Sequence, residues 1–278
     1  MKNLISILIP LLFLGCKKDE LPIEVSEGTR LVKIDLFYSG QSLNESPNQF
    51  EEYFYDNQNR LIGRDWYYEN SPLPLIKYRK EYNESGNLEK ISSSKLKDGN
   101  YELSAFYIFQ TNPVTQQIEN ASKYLIPHEG GDAQKEYERH FIYNDYHQII
   151  LDTLFNPNIQ SSNQFPANFQ YQWKEDNVVR IEKLSINGEI LSEIVLKYDG
   201  KTNPDPSNHI KTLFMLRSDI IPVGLNNVIE AQYYDFTGSG PRRTCNPCRT
   251  NYKYNSFGLP YFSSSNGGDR RIYTYEKE

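Results

Sequence analysis

Cys245 and Cys248, spaced as Cys-x-x-Cys, are the residues whose types and spacing most clearly permit chemistry. The spacing serves thiol–disulfide exchange at the start of a helix in a βαβ unit, and zinc binding when two further ligands lie nearby. Here the pair lies in TGSGPRRTCNPCRTN, between two strand-like runs and far from the nearest histidine, His209. From spacing alone, a disulfide, two thiols, a metal site and a redox site are all open.

Other catalytic patterns are weak. The histidines have no metal-binding spacing, and there is no Gly-x-Ser-x-Gly, His-Glu-x-x-His or phosphate-binding glycine loop. Asn203, Asp205 and Asn208 could bind calcium through oxygen atoms or simply form a proline-rigid turn. Carboxylates are abundant, but nothing selects a hydrolytic pair. We therefore expect no enzyme, no metal and no cofactor, with a hydrolase whose site is invisible in sequence as an alternative.

Aromatic side chains offer a second kind of chemistry, the stacking of sugar rings. Trp66, Tyr67, Tyr68 and Trp173 are candidates for contacts with a glycan. The competing interpretation is cross-strand packing within a sheet, which the pattern favours. Asp152-Thr153-Leu154 resembles the short O-glycosylation motif of Bacteroidota, which makes Thr153 a candidate acceptor.

The N-terminus indicates export. Lys2 precedes an apolar run, residues 4–14, that is too short to span a bilayer and is typical of a signal peptide. The run ends in Leu12-Phe13-Leu14-Gly15-Cys16, which resembles the lipobox of bacterial lipoproteins. The resemblance implies that Cys16 is acylated on its sulfur and amine and becomes the first mature residue. The alternative is an ordinary signal peptide with an incidental cysteine.

The residues after Cys16 carry the charges Lys17, Lys18, Asp19 and Glu20. A lysine-then-acidic run resembles the surface-export signal of Bacteroidota lipoproteins, which implies an outer-membrane protein at the cell surface. A solvated tether on a periplasm-facing protein is the alternative. We expect a signal peptide at 1–15, a lipidated tether at 16–29 and one domain at 30–278. Export favours a Cys245–Cys248 disulfide at a hairpin tip.

Composition narrows the function classes. The chain has 30 Lys and Arg against 36 Asp and Glu, a net charge of −6, which argues against nucleic acid as a partner. Only 38% of residues are hydrophobic, yet there are 22 tyrosines and 14 phenylalanines. Aromatic rings must therefore supply much of the buried area, as suits a broad sheet with a thin core. So many aromatics also argue against disorder.

A degenerate repeat runs through the chain. An aromatic strand ends in Tyr-Asp or Tyr-Asn, a polar turn follows, and an apolar residue restarts the next strand. The repeats carry Tyr55, Tyr82, Tyr143, Tyr198 and Tyr254, and YQWKEDNVVRI is a shorter variant with Trp173 in the tyrosine position. Asp or Asn can bond the backbone of the turn, and Gly86 or Gly258 can supply a positive φ.

This pattern predicts an all-β fold, an antiparallel meander of consecutive hairpins that forms a large curved sheet or open barrel. Helical periodicity is weak, and short helices are allowed only at 117–126 and 209–216. The alternative organisation is two stacked domains divided near NPDPSN, residues 203–208.

The Tyr-Asp turns resemble, distantly, the YD repeats of RHS-type shell proteins. They resemble more closely uncharacterised lipoproteins of Bacteroidota, through Tyr198-Asp199-Gly200-Lys201-Thr202-Asn203-Pro204, Asn226-Asn227-Val228 and the hairpin from Tyr254 to Pro260. That family implies display at the cell envelope with no assigned activity. We expect a lipid-anchored, non-enzymatic module that binds an unknown ligand, a glycan or an envelope protein, or serves as a scaffold. The second hypothesis is a carbohydrate-binding accessory protein of a glycan-uptake system.

Overall fold

The structure is a computed structural model. It describes residues 29–127, 131–156, 167–203, 214–216, 219–221, 226–236, 242–243 and 247–277. The signal peptide, Cys16 and nearly all of the tether therefore lie outside the described residues. The described residues contain no helix, and so none long and apolar enough to cross a membrane.

Nineteen strands account for most of the described chain. They are β1 (Thr29–Phe37), β2 (Gln49–Tyr55), β3 (Leu61–Tyr68), β4 (Ile76–Tyr82), β5 (Leu88–Lys97), β6 (Asn100–Thr111), β7 (Ile118–Leu125), β8 (Gln134–Tyr143), β9 (Ile149–Phe155), β10 (Ala167–Lys174), β11 (Asn177–Leu184), β12 (Ile190–Thr202), β13 (Phe214–Leu216), β14 (Asp219–Ile221), β15 (Asn226–Asp235), β16 (Arg242–Arg243), β17 (Cys248–Tyr254), β18 (Pro260–Ser265) and β19 (Arg270–Lys277).

The predicted meander is confirmed, and it closes. Each long strand pairs antiparallel with its neighbours in sequence, and β1 pairs with both β2 and β19, so that sixteen strands form a β-barrel. The short strand β16 adjoins β15, and β13 pairs only with β14. Because β12 pairs with β15, the sheet is continuous across residues 203–208, where a domain division was the alternative.

The repeat tyrosines end strands at one type of turn. After Tyr143, the Asn144 carbonyl accepts from the amide of His147 at 3.0 Å, and Asn144 Oδ1 accepts from the amide of Gln148 at 3.0 Å. His147 is left-handed, with φ of 62°. This is a type I turn with a bulge, which suits the twist of a hairpin. The turns that begin at Asp56, Asn83 and Asn255 repeat it, with Gly86 and Gly258 at positive φ as expected.

The bulge explains why a helix at 117–126 was wrong. The register shifts at the start of β7, so Ile118 pairs with Thr111 while Ala121 pairs with Phe109. Both side chains consequently face the same side of the sheet and are buried, although they are three residues apart. Three-residue spacing of apolar residues normally indicates a helix. At 209–216, the described part, Phe214–Leu216, is a strand as well.

Side chains alternate between two unlike faces. The inner face carries two apolar clusters, one along β5–β12 and one on β1–β3 and β19. Tyrosine contributes much of both, since Tyr53, Tyr107, Tyr137, Tyr171 and Tyr273 are buried. The outer face carries most of the ion pairs described below. A barrel of sixteen strands is wide enough to leave room inside for more than side chains.

Candidate functional site

Seven aromatic side chains at one end of the barrel, which include four of the five repeat tyrosines and Tyr252 in place of Tyr254, form a set of like hydrogen bonds that we call the tyrosine rim. Each donates from its side chain to the backbone carbonyl of the apolar residue that restarts a strand in the preceding hairpin. The donor–acceptor pairs are Tyr55–Leu31, Tyr82–Leu61, Tyr143–Ile118, Trp173–Ile149, Tyr198–Val178, Tyr252–Val228 and Tyr275–Pro260, at 2.7–3.4 Å. The repeat is therefore structural.

Neighbouring turns of the tyrosine rim are also joined. Gln117 Nε2 lies 2.9 Å from His147 Nδ1, and Gln148 Nε2 donates to the Glu175 carbonyl at 2.6 Å. Asn177 Nδ2 donates to Asn226 Oδ1 at 2.7 Å. These contacts cross from hairpin to hairpin and fix the rim as a continuous structure.

Both ends of the barrel chain meet at the tyrosine rim, because Thr29 pairs with Lys277. The described barrel therefore begins and ends at the tyrosine rim. The opposite end, which we call the mouth, carries the turn between β18 and β19 and the loops that follow β1 and β3. A nine-residue strand such as β1 separates the two ends by about 30 Å of chain.

The inner face near the mouth brings together a charged and aromatic group, which we call the mouth cluster. It consists of Glu51, Arg64, Trp66, Tyr78 and Arg271. Arg64 and Trp66 alternate along β3, and their pairing with Tyr53, Tyr78 and Glu51 places them on the same face as the buried Ile34. Arg271 pairs with Leu36 and lies on that face too.

Contacts within the mouth cluster leave Arg271 with capacity for a ligand. Glu51 accepts from the Tyr53 hydroxyl at 2.8 Å and lies 3.7 Å from Arg64, whose guanidinium stands 4.6 Å over the Tyr78 ring. Arg271 has an exposed side chain, and no carboxylate among the described residues is within ion-pair distance of it. The cluster can therefore contact an anion through Arg271 and a flat ring through Trp66.

The residues around Arg271 shift the pKa of its guanidinium. Enclosure within the barrel, which water still reaches, by itself lowers the pKa, but Tyr273, Tyr252, Glu51 and Tyr53 together raise it above the ordinary value. All four residues lie on the inner face. Arg271 therefore stays charged inside the barrel at any physiological pH.

A second polar group, Arg139, Asp152 and Tyr171, is sealed in the wall. Arg139 and Asp152 form a two-point ion pair, with Nε 3.0 Å from Oδ1, and the Tyr171 hydroxyl donates to Asp152 at 3.1 Å. Asp152 is 0% exposed and Arg139 is 3% exposed. Burial, reinforced by Asp152, raises the Tyr171 pKa well above its ordinary value. Without access for a substrate, this group is structural.

The outer face is charged. Glu230 lies 2.8 Å from Lys197 and 2.9 Å from Arg249, and these contacts hold the pKa of Glu230 below its ordinary value. Arg180 reaches Glu182 at 3.1 Å and Glu193 at 2.7 Å. Such ion pairs occur on surfaces in contact with water.

The candidate stacking residues are divided between faces. Tyr67 is on the outer face, where its ring stacks on Phe50 at 4.2 Å and its hydroxyl donates to Glu52. Burial and Glu52 raise its pKa to about 12. Tyr68 is half exposed at the end of β3, and Trp173 belongs to the tyrosine rim. Only Trp66 lies in the mouth cluster, so the structure does not gather the four residues into one surface.

Thr153 and the cysteines remain predictions as modification sites. Thr153 lies within β9, and its hydroxyl donates to Asn168 Oδ1 at 2.9 Å, so attachment of a sugar would disturb this contact. Cys248 begins β17 and is exposed. Cys16, Cys245, Asp205 and Asn208 lie outside the described residues. Among the residues that are described, no group of three or more His, Cys, Asp and Glu could hold a metal ion.

Sequence reasoning missed Arg64, Glu51, Tyr78 and Arg271. Their positions alternate with outward residues along four different strands, and the closure of the barrel is needed to bring Arg271 on β19 to the other three on β2, β3 and β4. The one signal in the sequence is an arginine or a glutamate at a position whose strand neighbours two residues away are buried, such as Arg271 beside Tyr273.

Comparison with known proteins shows faint structural likeness. No protein-family model and no curated protein matches the chain. A porin-like protein from Bacteroides uniformis matches 88% of this chain and 98% of its own, with 11% identity and a TM-score of 0.45. One from Bacteroides vulgatus matches 89% and 99%, with 11% identity and a TM-score of 0.46. The complex TcdB2-TccC3-Cdc42 matches 78% of this chain and 12% of its own, with 12% identity and a TM-score of 0.31. These scores are too low to support inferences about function.

Proposed function

We propose that the chain is a non-enzymatic binding module of the cell envelope, a water-facing barrel held to the outer membrane by acyl chains on Cys16. The observation that carries the proposal is the polarity of the barrel. Its apolar clusters face inward, and the ion pairs of Arg180 and Glu230 face outward, although Arg64–Glu51 and Arg139–Asp152 are on the inner face. A barrel that spans a membrane carries an outward apolar band about 25 Å tall.

The position of the tether supports display. The chain enters at the tyrosine rim, so acyl chains on Cys16 would hold the rim towards the membrane and leave the mouth facing away. Two or more acyl chains suffice for stable anchoring without any insertion of the barrel. The mouth cluster is then open to the medium, at the cell surface or in the periplasm.

Metabolic labelling tests the anchor. Cells that express the protein take up a fatty-acid analogue, and we expect label on the wild type and none on Cys16→Ser. Cys248→Ser, a cysteine change outside the lipobox, should keep the label. Label on Cys16→Ser equal to that of the wild type would overturn the anchor. Digestion of intact cells with a protease then distinguishes a protein at the cell surface from one that faces the periplasm. We expect the protein to be cleaved, as for a surface protein.

Carbohydrate binding is the second candidate, and Trp66 favours it. Its indole lies on the inner face beside Tyr78 and Arg64, an arrangement of flat rings and donors suited to a sugar. A glycan-array screen of the mature protein tests the idea. We expect binding that falls in Trp66→Ala and persists in Phe257→Ala, which removes an exposed aromatic ring from the tyrosine rim.

A further inference from the structure

The mouth cluster carries more positive than negative side chains. The chain as a whole has a net charge of −6, yet the mouth cluster has two arginines and one glutamate. Lys80 and Lys183 lie elsewhere on the inner face, since they pair with the inward Ile91 and Phe169. The mouth cluster is therefore positive within a negative protein.

We propose that the mouth cluster binds acidic oligosaccharides, with Arg271 as the residue that recognises a carboxylate or sulfate group. The inference rests on the second candidate function, carbohydrate binding, and names its ligand class. A guanidinium presents donors in a fork that matches the two oxygens of a carboxylate or sulfate. Arg271 has that fork exposed on the inner face.

The neighbours of Arg271 fit this role. Glu51 lies 3.7 Å from Arg64 and also raises the pKa of Arg271, so its one negative charge faces two positive charges and leaves one in excess. Ser263 is opposite Arg271 across β18 and β19, and its hydroxyl contacts Tyr273 at 3.0 Å. Trp66 is next to Glu51 across β2 and β3 and offers its ring to a pyranose. The charged group on β19 and the stacking ring on β3 thus lie three strands apart, with β1 and β2 between them.

The position of Arg271 on the inner face strengthens its attraction for an anionic ligand. The low-dielectric wall of the barrel focuses the field of the two arginines, so an ion pair at the mouth is stronger than one on the outer face. An acidic sugar enters against the negative field of the whole chain, and the arginines offset this cost only within the mouth. A neutral sugar gains nothing from Arg271, so the site discriminates by charge.

The test compares matched ligands on the mature lipoprotein in detergent micelles, by isothermal titration calorimetry. The probes are oligogalacturonate for the carboxylate, oligomers of dextran sulfate for the sulfate, and oligomers of plain dextran as the neutral match. We expect at least one acidic probe to bind about tenfold or more tightly than dextran, with a dissociation constant that rises with salt. Equal binding of all three probes, or no binding by either acidic probe, would overturn the proposal.

Variants then assign the residue. Arg271→Gln should weaken the acidic probe about tenfold or more, and Arg271→Lys should weaken it less because the charge is kept. Arg249→Gln, an exposed arginine of the outer face, should leave binding unchanged. Unchanged binding in Arg271→Gln refutes the assignment even where the anchor is proven. If the Arg271→Gln variant does not fold, the comparison of acidic and neutral probes on the wild type still tests whether the site prefers acidic ligands.

Discussion

The hydroxyl of Tyr143 donates a 2.7 Å hydrogen bond to the backbone carbonyl of Ile118, which lies one hairpin earlier. Ile118 restarts a strand after a turn, and Tyr143 ends the strand that leads to the next turn. One residue of each repeat thus reaches back to the repeat before it. The Tyr-Asp and Tyr-Asn repeat therefore joins one hairpin to the next.

Removal of the Tyr143 hydroxyl should show how much this hydrogen bond contributes to the free energy of unfolding. Tyr143→Phe leaves the Ile118 carbonyl without its donor in a half-buried site, and we expect a loss of about 1–3 kcal/mol in the free energy of unfolding. Tyr146→Phe is the control, because Tyr146 is 82% exposed on the following turn. Urea unfolding followed by circular dichroism gives both values. Equal stability of the two variants would show that the bond contributes nothing.

Alkaline pH should unfold the barrel through the same tyrosines. Burial raises the pKa of Tyr143, Tyr252 and Tyr275 above 10.0, with added contributions from Asp152 for Tyr143 and from Tyr273 for the other two. The folded state thus holds these protons more tightly than the unfolded state. Their stabilisation is complete below pH 10 and is lost as pH rises towards the folded pKa values.

The measurement is a spectrophotometric titration of tyrosinate combined with circular dichroism. Exposed tyrosines such as Tyr146 should ionise first, and a second group should ionise only together with loss of the β signal. A single titration with all tyrosines ionised in a folded barrel would contradict the assignment of these hydroxyls to buried bonds.

The hairpin meander can be predicted from the sequence, because the residue types at the turns favour one turn geometry. Asn144, Asp56 and Gly86 each occupy the position that their side chain or backbone favours in a hairpin turn. The closure of the barrel cannot be predicted in this way, since no local sequence pattern indicates that β1 pairs with β19. The apparent helix at 117–126 shows the remaining difficulty, because a bulge gives Ile118 and Ala121 a helical spacing within a strand.

The buried ion pair in the wall should matter for stability and not for binding. Asp152→Asn keeps the shape of the side chain but leaves the Arg139 charge buried without its counter-charge, and we expect a loss of about 3–5 kcal/mol in the free energy of unfolding. Asp145→Asn, on an exposed turn, should change stability by less than about 0.5 kcal/mol. Chemical denaturation compares them, and similar values would contradict the burial of the pair.

The Cys245–Cys248 disulfide is testable without structural detail. Export to an oxidising compartment favours the bond, and the short loop it closes means that reduction should barely change the melting temperature. Alkylation mass spectrometry of protein recovered without reductant should find neither cysteine alkylated. Two alkylated cysteines, or bound zinc in native mass spectrometry, would overturn the disulfide.

The proposed function requires that the barrel stands in water and that only its lipid holds it to the membrane. The decisive experiment replaces residues 1–16 with an ordinary cleavable signal peptide and separates the cells into soluble and membrane fractions. We predict that the wild type leaves membranes only with detergent, whereas the replaced protein is found in the soluble fraction with an unchanged β spectrum in detergent-free buffer. A replaced protein that stays in the membrane fraction, or needs detergent to fold, would contradict the account.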